Sequence, residues 1–378
     1  MEGLISIDLS AIPNRLTGAG RYGIEMLKAV LDQNDQETLS FLGITRSGDG
    51  DRMTALIPTL RFAELVPNGR VSRLAYERLF MASQLRRRNV KLHHGIHYTS
   101  PEPFGGRVVV TVHDTTFIDH PEWHERTKVG FFRHAIAKAA KRADALIFPS
   151  QFARDRFELF YPNSGERVVI PHGVDVSQFG VVSSESIAVT KLSHGISDEY
   201  LFYCGTIEPR KNLGRILDAF ASTKIPGLQF VIAGLSGWRN SKFFATLEPF
   251  VKSGKIRVLG YVSDADLGSL YAGSVATLYP SLEEGFGLPG LEALAMGSKL
   301  ITSVDSAMAE YANESTYLVN PYDTDEIAKA IIGVYDHFGG GERDRSLGLS
   351  SKDELLAKYS WTISGQRHLE LYRSILSI

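Results

Sequence analysis

Cysteine is almost missing from this chain: Cys204 is the only one in 378 residues. No internal disulfide can form, and a reducing compartment suits the composition. An excess of one charge sign is missing too. The 41 Lys and Arg stand against 43 Asp and Glu, a formal net charge of −2, so no global field favours nucleic acid as a partner. No apolar run approaches the ~18 residues that a bilayer-spanning helix needs. The opening run Leu4-Ile5-Ser6-Ile7-Asp8-Leu9 lacks a basic lead and a long apolar stretch, so no secretory signal is predicted. Low-complexity tracts and short internal repeats are absent. These absences leave a cytoplasmic globular protein as the expectation, with length for about two domains.

Short apolar runs alternate with helical patterns throughout. In the first half the predicted strands are Leu4–Leu9, Leu39–Ile44, Val90–His94, Val108–Val112, Ala145–Phe148 and Arg167–Ile170. Helices are predicted between them at Gly20–Leu31, Val71–Arg88, Lys128–Arg142 and Gln151–Phe160. The second half repeats the scheme, with strands at Leu201–Cys204, Gln229–Ala233, Ile256–Leu259, Ala276–Tyr279, Lys299–Ile301 and Thr316–Val319. Buried strands alternating with helices predict an α/β protein with two doubly wound parallel sheets. The boundary is expected after Pro171-His172-Gly173-Val174-Asp175, because Ser177–Ser197 is rich in Ser and Gly and reads as a linker. A second weak stretch, Gly339–Ser351, precedes a last helix near Trp361–Leu376.

The most informative segment is Glu283-Glu284-Gly285-Phe286-Gly287-Leu288-Pro289-Gly290-Leu291-Glu292. Glycines allow close backbone approach, and a helix start offers free N–H groups to an anion. Glu284 and Glu292 flank that anion position, where carboxylates bind hydroxyls; an anion flanked by hydroxyls describes a nucleotide sugar. Arg210 and Lys211 follow the first strand of the second half. Strand carboxyl ends are where doubly wound sheets bind ligands. Two cations there read as a diphosphate clamp, or as an ordinary solvated pair. Gly18-Ala19-Gly20-Arg21-Tyr22-Gly23 matches the dinucleotide fingerprint literally, but eight residues separate it from the strand and no acidic residue ends the next one. It remains a bare turn or a glycine-rich loop presenting N–H groups to phosphate. His113 closes a strand and faces the same kind of crevice. His93, His94 and His97 do not form a metal pattern, since neighbours on a strand point to opposite faces. Segment 61–91 carries eight Arg or Lys against Glu64 and Glu77, a balance of +6. It reads as a solvated helix face or as a contact with an anionic membrane surface.

In this combination and order the motifs resemble, almost end to end, a family 4 retaining glycosyltransferase. Glu284 and Glu292 match that family's E-x7-E signature. The resemblance implies the GT-B architecture, two Rossmann-like domains facing a central cleft. An acceptor domain would span 1–174, with helix 361–378 packing back on it, and a nucleotide-sugar donor domain 175–360. It implies that Arg210 and Lys211 bind the donor diphosphate, Glu284 and His113 contact the donor sugar, and Glu292 holds the ribose. Backbone N–H groups of Phe286, Gly287 and Leu288 would bind sugar hydroxyls or phosphate. Gly18, Ala19 and Gly20 would approach the phosphates from the other domain. Gly205, Tyr261 and Val262 would line the donor site, the base lying against the latter two. The implied reaction transfers a hexose from a UDP-glucose-like or GDP-mannose-like donor to a saccharide or lipid-linked acceptor, with retention. It uses no metal, in keeping with a sequence read as holding no D-x-D pair to bind one, and no cofactor beyond the donor. The alternatives are a nucleotide-sugar epimerase on the same fold and a non-catalytic sugar-nucleotide-binding subunit.

Overall fold

The structure, a computed structural model, describes residues 3–14, 16, 18–34, 39–196, 199–234, 241–338 and 349–377. The chain divides into two compact units, Met1–Gly173 with Tyr359–Ile378, and Val174–Lys358.

The first unit is built on seven strands: β1 (Gly3–Asp8), β2 (Leu39–Arg46), β3 (Arg61–Val66), β4 (Leu92–Gly95), β5 (Arg107–Thr111), β6 (Ala145–Phe148) and β7 (Glu166–Val169). They form one sheet in the order β3-β2-β1-β4-β5-β6-β7, with every pair parallel. The inner strands are mostly buried on both faces, as a sheet covered by helices on each side requires; β4 buries His93 and His94, and β6, Ala-Leu-Ile-Phe, is wholly buried. The chain reverses direction through the sheet between β1 and β4, and ligand crevices form at such switch points.

The C-terminal helix Trp361–Leu376 belongs to this unit and lies against the helix Gly18–Gln33. A Cβ on Gly365 would sit 2.7 Å from the Ala29 carbonyl carbon, so the two backbones meet where a side chain will not fit. A buried polar network ties the helix down. The Tyr22 hydroxyl bonds Thr111 at 2.8 Å and His368 at 3.0 Å, while His94 bonds Thr111 at 2.8 Å and the Tyr372 hydroxyl at 2.7 Å. Burial holds His94 and His368 well below the ordinary imidazole range. Both rings are therefore neutral, and each nitrogen has a donor or acceptor role to fill.

The second unit holds β8 (Tyr200–Cys204), β9 (Gln229–Ala233), β10 (Ile256–Gly260), β11 (Ala276–Tyr279), β12 (Lys299–Ser303) and β13 (Thr316–Val319). Their order is β10-β9-β8-β11-β12-β13, again all parallel, with the switch point between β8 and β11.

Three local expectations need correction. β3 was not anticipated within the basic segment; it is an edge strand that is mostly exposed or half-buried, and its charged residues Arg61 and Glu64 hide the strand pattern. The single helix expected over Val71–Arg88 is two, Arg70–Leu79 and Met81–Arg87, broken at Phe80 (φ −119°). The stretch read as a linker holds a helix, Ser184–His194. A reciprocal Ser183–Ser186 capping box starts it, and left-handed Gly195 (φ +62°) ends it. Val189 and Leu192 face solvent while Thr190 is buried, so no clean apolar stripe announced it.

Candidate functional site

The carboxyl ends of β8 and β11, adjacent at the switch point, carry the two segments singled out in the sequence. After β8 the chain runs through Gly205-Thr206-Ile207-Glu208 into a 3-10 turn, Pro209–Lys211. Asn212 then takes a left-handed conformation (φ +63°) and starts the helix Leu213–Thr223. The Asn212 side-chain amide donates to the carbonyls of Pro280 at 3.0 Å and Pro321 at 2.7 Å. That fixes the turn to the loop after β11. The Leu282 N–H, donating to the Arg210 carbonyl at 2.8 Å, adds a second tie.

Arg210, Lys211 and Glu284 are thereby brought together across about 70 residues of chain. Arg210 Nη1 donates to Glu284 Oε2 at 2.6 Å, and its Nε pairs with Glu208 Oε1 at 2.6 Å. Lys211 Nζ pairs with Glu284 Oε1 and also donates to the Tyr279 hydroxyl. The Tyr279 hydroxyl in turn donates to Glu284 Oε1 at 3.2 Å. Glu208, Lys211, Glu283 and Glu284 are all buried. Burial alone would raise the Glu284 carboxyl, yet Arg210 and Lys211 hold it down at about 2. Burial, then the neighbouring Arg210, lowers the Lys211 ammonium from its ordinary value, with Glu284 and Glu208 opposing. Burial, then Glu284, pushes the Tyr279 phenol well above its ordinary range, so its proton stays in place. Two cations and two carboxylates make a locally neutral cluster.

Gly287 ends the loop at φ +82° and precedes the helix Leu288–Ala295. A Cβ on Gly287 would lie 2.6 Å from Met308 Cγ, and its carbonyl accepts from the Tyr311 hydroxyl at 2.7 Å. Phe286 and Leu288 are buried. Glu292, also buried, accepts from the Tyr271 hydroxyl at 3.1 Å on the helix Asp264–Gly273. Gly205 (φ +150°) donates its N–H to the Ala233 carbonyl at 3.0 Å. A side chain on Gly234 would collide with the Gly205 carbonyl oxygen, so the ends of β8 and β9 close to backbone contact. Beyond β10, Tyr261 is exposed and Val262 buried.

Gly18, Ala19, Gly20 and His113 belong to the first unit. Gly18 and Gly20 open the helix Gly18–Gln33, and space around Gly18 is open: a Cβ there meets no atom within 4 Å. His113 follows β5. Its Nε2 bonds the Ile96 carbonyl at 2.8 Å, and its ring meets Tyr22 edge-on at 5.3 Å. Burial lowers its pKa.

Sequence reasoning missed Glu208, Tyr271 and Tyr279. Tyr279 alone left a signal, as the last residue of a predicted strand. The expectation that the sequence holds no D-x-D pair is wrong: it holds three literal triplets, Asp49-Gly50-Asp51, Asp264-Ala265-Asp266 and Asp323-Thr324-Asp325. All three lie at helix starts, before or within Gly50–Leu56, Asp264–Gly273 and Thr324–Phe338, where acidic residues complement the dipole.

Comparison with known proteins agrees with this arrangement. The family described as Glycosyltransferase Family 4 matches residues 16–178, and that described as Glycosyl transferases group 1 matches residues 187–338. Together they span most of both units. The chain is 28% identical over 333 residues to an O-antigen chain mannosyltransferase B of Escherichia coli, covering 84% of this chain and 86% of that one. Among solved structures, the sucrose-phosphate synthase of Thermosynechococcus elongatus superposes with a TM-score of 0.78 at 17% identity, over the whole of both chains. The Anabaena protein HepE, in complex with UDP-glucose, superposes with a TM-score of 0.75 at 17% identity, over 98% of this chain and 99% of that one. Two doubly wound units, the E-x7-E segment at the switch point and these matches lead to one assignment: the chain belongs to the family 4 glycosyltransferases and has their two-domain GT-B fold.

Proposed function

We propose that the protein is a retaining, metal-independent hexosyltransferase. It moves a hexose from a nucleoside-diphosphate sugar to a saccharide or lipid-linked acceptor during surface polysaccharide assembly. The observation that carries this reading is the convergence of Arg210, Lys211 and Glu284 at the β8/β11 switch point. Paired cations at that position suit a diphosphate and stabilise the charge that grows on it as the glycosidic bond breaks. They do there what a bound metal ion would otherwise do. Glu284 is the hydroxyl grip on the sugar and Glu292 the grip on the ribose. The backbone of Phe286, Gly287 and Leu288, with Gly205, carries the anion between them, and the base lies against Tyr261 and Val262. Retention follows if the leaving phosphate takes the acceptor proton on the same face of the sugar.

The relative named as an O-antigen chain mannosyltransferase supports a mannosyl donor and a polysaccharide acceptor; the neighbour bound to UDP-glucose supports a glucosyl one. No helix among the described residues is long and apolar enough to cross a membrane. At the break between the helices Arg70–Leu79 and Met81–Arg87, Leu79 and Phe80 are 67% and 54% exposed, beside exposed Arg78. Apolar side chains among cations suit peripheral contact with an anionic bilayer, where a lipid-linked acceptor would lie. The test is a thermal-shift screen against UDP, GDP, ADP and their sugars, since a ligand stabilises in proportion to its occupancy. It is followed by transfer from the stabilising donor, with the anomeric configuration of the product read by NMR. A protein that no nucleoside diphosphate stabilises, or an inverted product, refutes the reading.

A further inference from the structure

Both oxygens of the Glu284 carboxylate are engaged by the protein itself. One oxygen accepts from Arg210 at 2.6 Å, the other from Lys211 and from the Tyr279 hydroxyl at 3.2 Å. Glu208 pairs with the Nε of Arg210. A sugar hydroxyl arriving alone therefore meets a carboxylate whose two oxygens are already held by charge-assisted bonds. A diphosphate arriving alone meets cations already neutralised. Neither ligand group binds well until the partners exchange.

We propose that the cluster is such an exchange device: a nucleoside diphosphate draws Arg210 and Lys211 off Glu284, and only then is Glu284 free to grip the sugar, with Tyr279 as the positioning residue that holds both partners during the switch. This rests on the diphosphate-sugar reading above. A phenol has one hydrogen to donate and lone pairs to accept with. Tyr279 uses both, donating to Glu284 and accepting from Lys211. It is rigidly held. It ends β11, its carbonyl accepts from the Thr302 hydroxyl at 3.0 Å, and its ring stacks on Tyr203 with centroids 6.0 Å apart. When Lys211 moves to a phosphate oxygen, the hydroxyl still orients Glu284 toward the sugar.

The exchange makes a prediction of unusual sign: the Glu284 charge opposes binding of the nucleoside diphosphate. UDP, GDP and ADP are titrated calorimetrically into the wild-type protein in phosphate-free buffer, and the one that binds is titrated into Glu284→Gln. Binding should tighten, by roughly tenfold, because the cations no longer leave a carboxylate. Equal or weaker binding by a folded Glu284→Gln protein overturns the exchange while leaving the donor reading intact. If none of the three binds the wild type, the donor reading falls and the exchange with it. Should Glu284→Gln fail to fold, Glu284→Asp, which keeps the charge but withdraws it by one methylene, must shift the affinity in the same direction. Tyr279→Phe keeps the ring and removes only the hydroxyl. It should lower kcat several-fold while nucleoside-diphosphate affinity stays within about twofold; a parallel loss of both would mean that Tyr279 only supports the fold.

Discussion

Glu284→Gln also gives a stability prediction whose size follows from the site. The carboxyl is ordinarily near 4.5 and is held at about 2 in the folded protein by Arg210 and Lys211, against the opposing effect of burial. At 1.36 kcal/mol per pH unit, that difference stabilises the second unit by about 3 kcal/mol. Because the folded value is the lower one, the stabilisation is complete above about pH 4.5 and is lost as the pH falls through about 2. Glutamine has no proton to exchange in this range. The advantage of the wild type over Glu284→Gln should therefore be about 2 kcal/mol larger at pH 6 than at pH 3. Other carboxylates titrate over the same interval, Glu102 among them, but they do so in both proteins and cancel in the difference. A two-unit chain need not unfold in one step. The assay is therefore urea-dependent hydrogen exchange, followed by mass spectrometry on peptides covering β8 and β11. A stability difference that is the same at pH 6 and pH 3 would show that the ion pairs do not set the carboxyl, and would refute the electrostatic account of the cluster.

Three more outcomes are expected. Lys211→Ala should lower kcat by roughly tenfold to a thousandfold with secondary structure retained, as measured by initial rates and circular dichroism; near-normal turnover would remove Lys211 from leaving-group stabilisation. Glu292→Ala should weaken nucleoside-diphosphate binding in calorimetry, since Glu292 sits buried at the foot of the anion loop with Tyr271 as partner; unchanged affinity contradicts the ribose contact. Gly287→Ala should cost about 1–3 kcal/mol in chemical denaturation, because residue 287 is left-handed and an added Cβ meets Met308 at 2.6 Å; a neutral effect would mean that the loop is free to shift.

Much of this architecture was legible before any coordinates. Ala145–Phe148, Gln229–Ala233, Ala276–Tyr279, Thr316–Val319 and the helix Gln151–Phe160 lie at the residues expected from pattern alone. The apolar runs of Ala145–Phe148, Gln229–Ala233 and Ala276–Tyr279 are short, continuous and buried, which is what a doubly covered parallel strand requires. Elements whose stability comes from elsewhere were not legible. β3 is held by the edge of a sheet rather than by its own apolar face. The helix Ser184–His194 is defined by its caps rather than by a stripe.

The same division runs through the site. The sequence by itself determined the chemistry available: two carboxylates eight positions apart around a glycine-rich helix start, and two adjacent cations at a strand end. Those are local facts, fixed by spacing and by the backbone conformations glycine allows. Only the tertiary structure decided that Arg210 and Lys211 rest on Glu284, that Tyr279 bridges them and that Tyr271 holds Glu292. Arg210 and Lys211 meet Glu284 and Tyr279 because β8 and β11 are neighbours at the switch of a parallel sheet, and the pairing of distant strands has no periodic signature in the intervening chain. Burial then makes the pairing consequential. With water largely excluded, each charge must find a partner within the protein until a ligand supplies another.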